Sequence, residues 1–261
     1  MPVRVLAGST ATGESQSGAS YGAAGQQLRN VVKVTAGAAF VIALRSDGSV
    51  LSWGDNSKNQ LYTEFKYDTN SLNYNSMRYG IPTSVLKGEE ADGLTYDRYV
   101  REIVDVDAGA LTSYLTTSEH KVLYVGPTYN RFGADEQHNK ILSYLKNEND
   151  IDFTDVFSLS AAEKNGALIQ GRESDGLTKV WAWGVNTRGE LGQNYITGQT
   201  GSAYTGDASH APVQVYAATQ PMDGSVAYLE HAIDSAVGAE HIGYYMADGS
   251  VFVSGANNQG Q

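Results

Sequence analysis

Short apolar runs rich in β-branched or aromatic residues recur along the chain and alternate with turn-forming residues. Two of them, Val41-Ile-Ala-Leu44 and Ser113-Tyr-Leu115, are too short for an ordinary helix and suit strands. Glycine after aspartate suits a tight hairpin because it accepts a positive φ without steric cost. The pattern predicts short antiparallel strands, with hairpin turns at Ser46–Ser49, Ser118–Lys121, Asp175–Gly176 and Asp248–Ser250.

A block that ends in glycine occurs four times and predicts an internal repeat. The four copies are Val50–Gly54, Val122–Gly126, Val180–Gly184 and Val251–Gly255. Their glycines lie 72, 58 and 71 residues apart. An apolar strand followed by a glycine is therefore a constant element of each repeat.

A second block lies upstream of the first at Val31–Gly37, Ile103–Gly109 and Ala232–Gly238. In all three copies its glycine (Gly37, Gly109, Gly238) lies 17 residues before the next block's glycine. Independent insertions would vary, so this constant spacing supports the repeat. We assign Phe153–Leu159, 25 residues before Gly184, as a degenerate copy with eight extra hairpin residues within Lys164–Lys179.

A third block contains proline, which removes a donor from a sheet and belongs at a strand start or on an edge strand. Its copies are Pro2–Val5, Pro82–Val85 and Pro212–Val215, with Lys140–Leu142 as a weak fourth. We interpret this block as the opening of each unit. The units are then residues 1–61, 62–133, 134–193 and 194–261, each with about four antiparallel strands, as in one blade of a β-propeller. The predicted fold is a single all-β repeat domain.

These blocks resemble the repeat of the regulator of chromosome condensation family, in which Val-x-x-Val-x-Ala-Gly precedes Asp-Gly-x-Val and Trp-Gly-x-Asn-x-x-Gly-Gln-Leu. Val180–Gln193 is nearly that consensus, and Val31–Leu61 covers most of a repeat. Val251–Gln261 matches in part, and Val125 replaces the tryptophan of the second copy. The resemblance implies a β-propeller that recognises proteins through loops and blade faces. The family's nucleotide exchange on a small GTPase is not carried over, since no exchange-site residue is matched.

We interpret the repeated residues as structural. The tryptophans should fill the space between sheets, the glycines should allow close backbone approach, and the asparagines should bond to their own turn two residues on. The glycines are Gly37, Gly54, Gly109, Gly126, Gly184, Gly238 and Gly255, the tryptophans are Trp53, Trp181 and Trp183, and the asparagines are Asn56, Asn186 and Asn257.

Insertions lengthen the repeats at Gly8–Gln27, Tyr62–Tyr99, Gly133–Asp152 and Gln193–Ala211. The third insertion suits a short helix around Glu136–Leu145. The second concentrates tyrosine among Asn and Ser, a composition that binding loops favour. Its candidate interaction surface consists of Tyr62, Tyr67, Tyr74, Tyr79 and Tyr96. The alternative is that these tyrosines pack the insertion onto its own blade.

Charge and composition limit the possible functions. Lys and Arg number 18 against 29 Asp and Glu, a net charge of −11, which argues against nucleic-acid binding. With no cysteine, the chain has no disulfide and no thiolate metal site. The longest apolar run, near Ala36–Leu44, is nine residues, far below the ~20 of a membrane helix. We predict no cofactor, no nucleic-acid partner and no membrane insertion.

Signals for catalysis or metal binding are weak. Gly18–Gly22 fits a hydrolase nucleophile pattern but lies in a Gly- and Ser-rich loop without the required strand and helix. Asn147–Asp155 concentrates four carboxylates, yet it lacks the residue order of an EF-hand. The histidines are scattered, and His120 falls in a predicted hairpin turn. We therefore interpret these residues as loop and packing residues.

The sequence predicts a non-catalytic repeat module for protein recognition or scaffolding. The alternative is a propeller enzyme that acts on glycans or small molecules through carboxylates from several blades. The composition favours a bacterial surface protein or phage particle. Four units are fewer than the roughly seven of the family. We therefore expect an open arc or half ring, whose ends are covered by a second copy, another subunit or the rest of a longer protein.

Overall fold

A computed structural model of the chain describes residues 5, 27–63, 78–88, 99–126, 142–147, 149–171, 177–193, 208–218, 221–223 and 225–256. The chain divides into two compact units. The first comprises Met1–Ser118, Leu123–Pro127 and Asp135–Ser143, and the second comprises Glu119–Val122, Thr128–Ala134 and Tyr144–Gln261. All regular structure in the described residues is β-strand, which confirms the predicted all-β class.

The strands form four antiparallel sheets, each ordered as in the chain. The first contains β1 (Val31–Ala36), β2 (Phe40–Arg45), β3 (Val50–Asp55) and β4 (Arg78–Ser84). The second contains β5 (Ile103–Ala108), β6 (Ser113–Thr117), β7 (Val122–Val125) and β8 (Ser143–Tyr144). The third contains β9 (Val156–Ala161), β10 (Asn165–Gln170), β11 (Lys179–Val185) and β12 (Ala208–Gln214). The fourth contains β13 (Ala232–Val237), β14 (His241–Met246) and β15 (Val251–Gly255), and so has three described strands instead of the predicted four.

The end of the third strand is built in the same way in every sheet. A left-handed glycine with φ between +106° and +112° lies at Gly54, Gly126, Gly184 and Gly255. A Cβ atom at Gly184 would overlap the carbonyl oxygen of Lys164 on the neighbouring side of the hairpin, and the other three glycines meet equivalent carbonyls. Glycine is required here by the backbone angle and by the close approach together.

A second repeated feature precedes the first strand of each sheet. The residue before the upstream block is left-handed in all four sheets, with φ between +54° and +65°, at Asn30, Glu102, Asp155 and His231. Its carbonyl oxygen accepts a hydrogen bond from the end of the second strand, as Asn30 does from Ser46. A β-bulge then follows at the start of the first strand. These four positions hold four different residue types, so the sequence blocks do not reveal them.

The proline block closes a sheet, and the prediction that it opens a unit is wrong. Pro82 lies in β4, which pairs with β3, and Pro212 lies in β12, which pairs with β11. The chain thus completes each sheet with this strand before it enters the next. Both strands lie at sheet edges, as predicted, where the missing N–H of proline removes no inner ladder bond.

The third copy of the upstream block begins three residues later than predicted. The Ala162 N–H donates to the Asn165 carbonyl at 2.9 Å, as that of Gly37 does to Phe40 at 3.0 Å. Ala162 therefore takes the place of the block glycine. It lies 22 residues before Gly184, against 17 in the other copies, so the hairpin gains five residues and not eight. Alanine in place of glycine concealed this alignment.

The predicted helix is also incorrect in its described part. Residues 142–145 are extended, and Ser143 and Tyr144 form β8. Leu145 donates its N–H to the Val122 carbonyl at 2.8 Å. The spacing of Leu142 and Leu145 fits one helical face, but backbone pairing with β7 determines the conformation. Residues 136–141 lie outside the described residues.

Each unit has its own contacts between sheets. In the first unit, Lys33 pairs with Asp105 at 2.5 Å, and the Ser113 hydroxyl donates to the Gln60 carbonyl. In the second unit, a buried cluster that includes Ile169, Val215 and Ile242 lies between the third and fourth sheets. Side chains of the third and fourth sheets thus share one core in the second unit.

Candidate interaction site

Two of the five tyrosines predicted to form an interaction surface lie among the described residues. Tyr79 is in β4, and Tyr62 lies in the turn after β3. Tyr67, Tyr74 and Tyr96 lie outside the described residues. Tyr62 is half-buried with φ at +40°, and burial raises the pKa of its hydroxyl. It is a packed turn residue, and the tyrosine surface as a whole stays a prediction.

The turn that contains Tyr62 has a counterpart in the second unit. The Asn56 side chain accepts a hydrogen bond from the Leu61 N–H at 2.8 Å, and that of Asn186 accepts one from Leu191 at 3.0 Å. The partner lies five residues on, so the predicted spacing of two is wrong. The asparagines hold a wide turn that follows the third strand.

The two turns differ at the residue after the leucine. That residue is Tyr62 in the first unit and Gly192, with φ at +61°, in the second. The backbone is otherwise equivalent, because the Tyr62 carbonyl accepts from Leu86 and the Gly192 carbonyl accepts from Tyr216, both at 2.9 Å. A Cβ atom at Gly192 would lie 2.7 Å from Val215. Glycine at this position therefore allows the close approach of the Val215 side chain, which a Cβ atom would overlap.

A pocket of about 330 Å³ opens beside Gly192 within the second unit. Its lining includes the turn residue Arg188, the aromatic residues Tyr216 and Tyr244, and Phe252 of β15. Tyr244 is buried, and its hydroxyl lies beside the Ser254 hydroxyl. The nearby Ser254 hydroxyl donates to the Glu190 carbonyl at 2.6 Å. Burial raises the pKa of Tyr244, so its hydroxyl stays protonated at neutral pH.

The strand beside this pocket, β15, is uncovered. Phe252 is 37% exposed and Val253 is 52% exposed, whereas Leu123 and Tyr124, their equivalents in β7, are 0% and 5% exposed. In the second sheet, β8 pairs with the outer edge of β7. No strand within the described part of the chain pairs with the outer edge of β15. An apolar strand edge is thus left open.

The first strand of the first sheet is uncovered as well. Val34 in β1 is 57% exposed, although its equivalent in β5, Val106, is 1% exposed. Val106 is covered because β5 packs against β1 and β2 of the preceding sheet. The first and last sheets therefore each present an apolar surface that the corresponding inner strands bury.

The acid-rich stretch from Asn147 bonds to its own backbone. The Asn147 side chain accepts from the N–H groups of Asn149 at 2.9 Å and Ile151 at 3.2 Å, and Lys146 pairs with Asp150 at 3.2 Å. Within the described ranges, no group of three or more His, Asp or Glu side chains is placed to hold a metal ion. Residues 18–22, with the hydrolase-like pattern, lie outside the described residues.

The carboxylates with shifted pKa values belong to turns. Hydrogen bonds from the side chain and backbone of the serine two residues on lower the pKa values of Asp47, Asp223 and Asp248. A general acid requires the opposite shift. No helix in the described part of the chain is long and apolar enough to cross a membrane. Among the described residues, the uncovered strands β1 and β15 are therefore the candidate interaction site.

Four antiparallel sheets that share the same glycine and bulge geometry define a β-propeller-type repeat protein. Residues 31–60 match the family model described as "Regulator of chromosome condensation (RCC1) repeat". These residues include the first two predicted blocks, so the resemblance derived from them is confirmed. No curated protein matches the chain.

Solved structures with this fold are RCC1-like propellers. Yeast RCC1 (Prp20), solved bound to Kap60, gives a TM-score of 0.55 at 14% identity over 87% of this chain and 44% of its own. Human WBSCR16 gives a TM-score of 0.55 at 16% identity over 86% of this chain and 47% of its own. Prp20p from Saccharomyces cerevisiae gives a TM-score of 0.54 at 14% identity over 86% of this chain and 45% of its own. The chain spans under half the length of each. The likeness shows the fold.

Proposed function

We propose that this chain is a non-catalytic repeat module that binds and scaffolds other protein chains. The observation that carries the proposal is the uncovered β15. An edge strand presents unpaired backbone donors and acceptors, and Val251, Phe252 and Val253 add apolar contact area. The structural neighbours support a protein-binding role: yeast RCC1 (Prp20) was solved bound to Kap60, and the Prp20p structure was described with its binding properties to Gsp1p and histones.

Charge and composition narrow the class of partner. A net charge of −11 favours a protein partner over nucleic acid. The lack of cysteine and the loops rich in Tyr, Asn, Gly and Ser lead us to propose a bacterial-surface or phage-particle setting. The tyrosine-rich insertion is a second proposed contact region of the same module.

Site-specific photo-crosslinking in cells of the source tests the function. A photo-reactive residue at Val253 reports contacts of the β15 edge, and the same residue at the fully exposed Met222 is the matched control. We expect discrete covalent protein adducts from Val253 and none from Met222. Failure to form adducts from Val253, or the same mixture of adducts from both positions, would contradict the proposal.

A further inference from the structure

We propose that the uncovered edge of β15 accepts the Met1–Val5 segment of a second copy of this chain as its fourth strand. The inference rests on the protein-binding function proposed above and names the partner of that same edge. It follows from three observations: the position of Val5, the pairing of the equivalent segments in other sheets, and the exposed first strand of the first sheet.

Val5 occupies the position that directly follows a fourth strand in other repeats. Its carbonyl oxygen accepts a hydrogen bond from the Leu28 N–H at 2.9 Å. The carbonyl oxygens of Val85 and Val215, which follow β4 and β12, accept equivalent bonds from residues that lead to the next sheet. Met1-Pro-Val-Arg-Val5 also matches Ile81-Pro-Thr-Ser-Val85 and Ala211-Pro-Val-Gln-Val215. The segment therefore has the sequence and the exit geometry of a fourth strand.

Fourth strands in this protein pair with the third strand of the sheet before them. The Val85 N–H donates to the Val50 carbonyl at 3.0 Å, and the Val215 N–H donates to the Val180 carbonyl at 2.9 Å. Met1–Val5 precedes β1, so by this order its partner is a third strand that lies outside the first sheet. The fourth sheet, in turn, has an uncovered third strand among its described residues. The donor segment and the acceptor edge are complementary.

The repeat fixes the register of the proposed pair. Val251 is equivalent to Val50 and Val180, so its carbonyl is the expected acceptor for the Val5 N–H. Ser84 lies opposite Leu51, and Gln214 lies opposite Trp181. Carried over to the last sheet, these pairs place Arg4 opposite Phe252 and Val3 opposite Val253.

The sheet faces fit the same association. Within each unit, the third residue of the upstream block contacts its equivalent in the next sheet, as Lys33 contacts Asp105 and Ser158 contacts Asp234. If the fourth sheet of one copy packs in the same way against the first sheet of the other, Asp234 of one copy lies against Lys33 of the other, and opposite charges meet. The same packing between the two copies covers Val34, which is 57% exposed in the single chain.

Two copies suit the dimensions of the fold. The chain matches 44% to 47% of the length of its structural neighbours, so two chains provide nearly one neighbour's length. With four described sheets in each chain, a pair contains eight, within the range of about four to eight blades in propellers. Each copy would donate one strand and accept one, which makes the two interfaces identical.

Disulfide trapping tests the pairing directly, because the chain contains no cysteine. The variants Arg4→Cys and Phe252→Cys are purified separately, mixed in equal amounts and oxidised mildly. Residues that face each other across antiparallel strands have Cα atoms about 4.5–5.5 Å apart, within disulfide range. We expect a disulfide-linked dimer from this mixture, in clearly higher yield than from Arg4→Cys with the exposed control Met222→Cys. Circular dichroism confirms that each variant is folded.

A second measurement is the mass in solution. Light scattering of the intact chain should give twice 28.0 kDa, and deletion of Met1–Arg4 should return the mass to that of a single shortened chain. The proposal is overturned by a monomeric intact chain, by equal crosslinking with both partners, or by a double variant Arg4→Cys/Phe252→Cys that forms its disulfide within one chain.

The outcomes also separate this inference from the proposed function. If the photo-reactive residue at Val253 captures a different protein and the cysteine pair does not crosslink, the chain binds proteins but not its own N-terminal strand. If neither experiment gives an adduct, both proposals fail. If both give an adduct and the captured protein is this chain, both hold.

Discussion

The strands β7 and β15 occupy the same position in two repeats, and only one of them is covered. Both follow a hairpin and end in a left-handed glycine, Gly126 in one case and Gly255 in the other. β7 has β8 along its outer edge, and Leu123 is fully buried. β15 has no described neighbour there, and its equivalent residue, Phe252, is 37% exposed. The difference lies in the neighbouring strand, since the strands themselves are alike.

The comparison shows which properties a repeat determines locally. The glycine angle, the bulge and the asparagine-held turn depend on residues within one repeat, and they recur wherever those residues recur. Burial of the third strand depends on a segment supplied from elsewhere in the sequence. In a repeat protein, the end repeats therefore differ from inner ones in exposure even where their sequences agree. The same reasoning applies to Val34 in β1 and Val106 in β5.

The largest effect is expected from the tryptophans of the third strands. Trp183 is buried, and Gly166 opposite it lets the indole ring lie on β10. Trp53 is only half-buried, which differs from the predicted packing between sheets, and Val41 lies opposite it. Trp183→Ala should lower the free energy of unfolding by about 3–5 kcal/mol, measured by urea denaturation. The matched variant Trp53→Ala should cost roughly half as much. Equal costs would contradict the difference in burial.

The comparison between β7 and β15 is tested by truncation of their equivalent residues. Leu123→Ala should destabilise the chain by about 2–5 kcal/mol, because it leaves a cavity in a covered strand. Phe252→Ala should cost less than about 1 kcal/mol in a chain without Met1–Arg4, since its side chain is then exposed. Urea denaturation of both variants in that shortened chain provides the measurement. A large cost at Phe252 would show that β15 is already covered.

A smaller effect is expected at the left-handed glycine that ends the third strand of each sheet, for which Gly184 of β11 is the test position. Gly184→Ala places a methyl group against the Lys164 carbonyl at a φ of +108°, a strained conformation that costs about 1–3 kcal/mol before any overlap. Gly189→Ala is the control, because its φ is +79° but no atom lies within 4 Å of the added carbon. Thermal unfolding should rank Gly184→Ala as clearly more destabilising. An equal effect would mean that the close approach to Lys164 is unimportant.

The smallest effect concerns the acid dependence of the hairpin turns. Hydrogen bonds from Ser250 lower the pKa of Asp248 below its ordinary value of 3.8, so its folded-state pKa is depressed. The associated stability is present above the unfolded-state pKa and is lost as the pH falls through the folded-state pKa. Carboxyl titration by NMR should show Asp248 titrating below 3.8, and Ser250→Ala should raise its pKa. An unchanged pKa in Ser250→Ala would refute the assigned cause.

Much of the fold was predictable from the sequence because its elements are short-range. The β-branched runs, the Asp-Gly turns and the spacing of 17 residues located the hairpins. One error arose where a tertiary contact outweighed the local pattern, because Leu142 and Leu145 have helical spacing but extend beside β7. Another arose from a sequence change within the repeat, since Ala162 takes the place of a glycine in the third upstream block.

Less of the candidate site was predictable. Phe252 and Val253 have the same apolar character as Leu123 and Tyr124, so no composition signal distinguishes an open strand from a covered one. The sequence did predict that the first and last repeats leave faces uncovered, and Val34 and Val253 are exposed there. The expected arc, the tyrosine surface and the cellular setting stay predictions. They depend on interactions beyond one repeat.

Amide hydrogen exchange at Val253 tests most directly whether β15 accepts a strand. Successive N–H groups along β15 point alternately toward β14 and away from it. The hydrogen bonds at the two ends of the β14–β15 hairpin, from the Met246 N–H to the Ser250 carbonyl and from the Ala256 N–H to the Glu240 carbonyl, fix which N–H groups point each way. They direct the Phe252 N–H toward β14 and the Val253 N–H toward the open edge. In the intact chain, protection at Val253 should rise with protein concentration toward that of Phe252, and deletion of Met1–Arg4 should abolish the rise. Rapid exchange at Val253 at every concentration, with Phe252 protected, would contradict strand acceptance by β15.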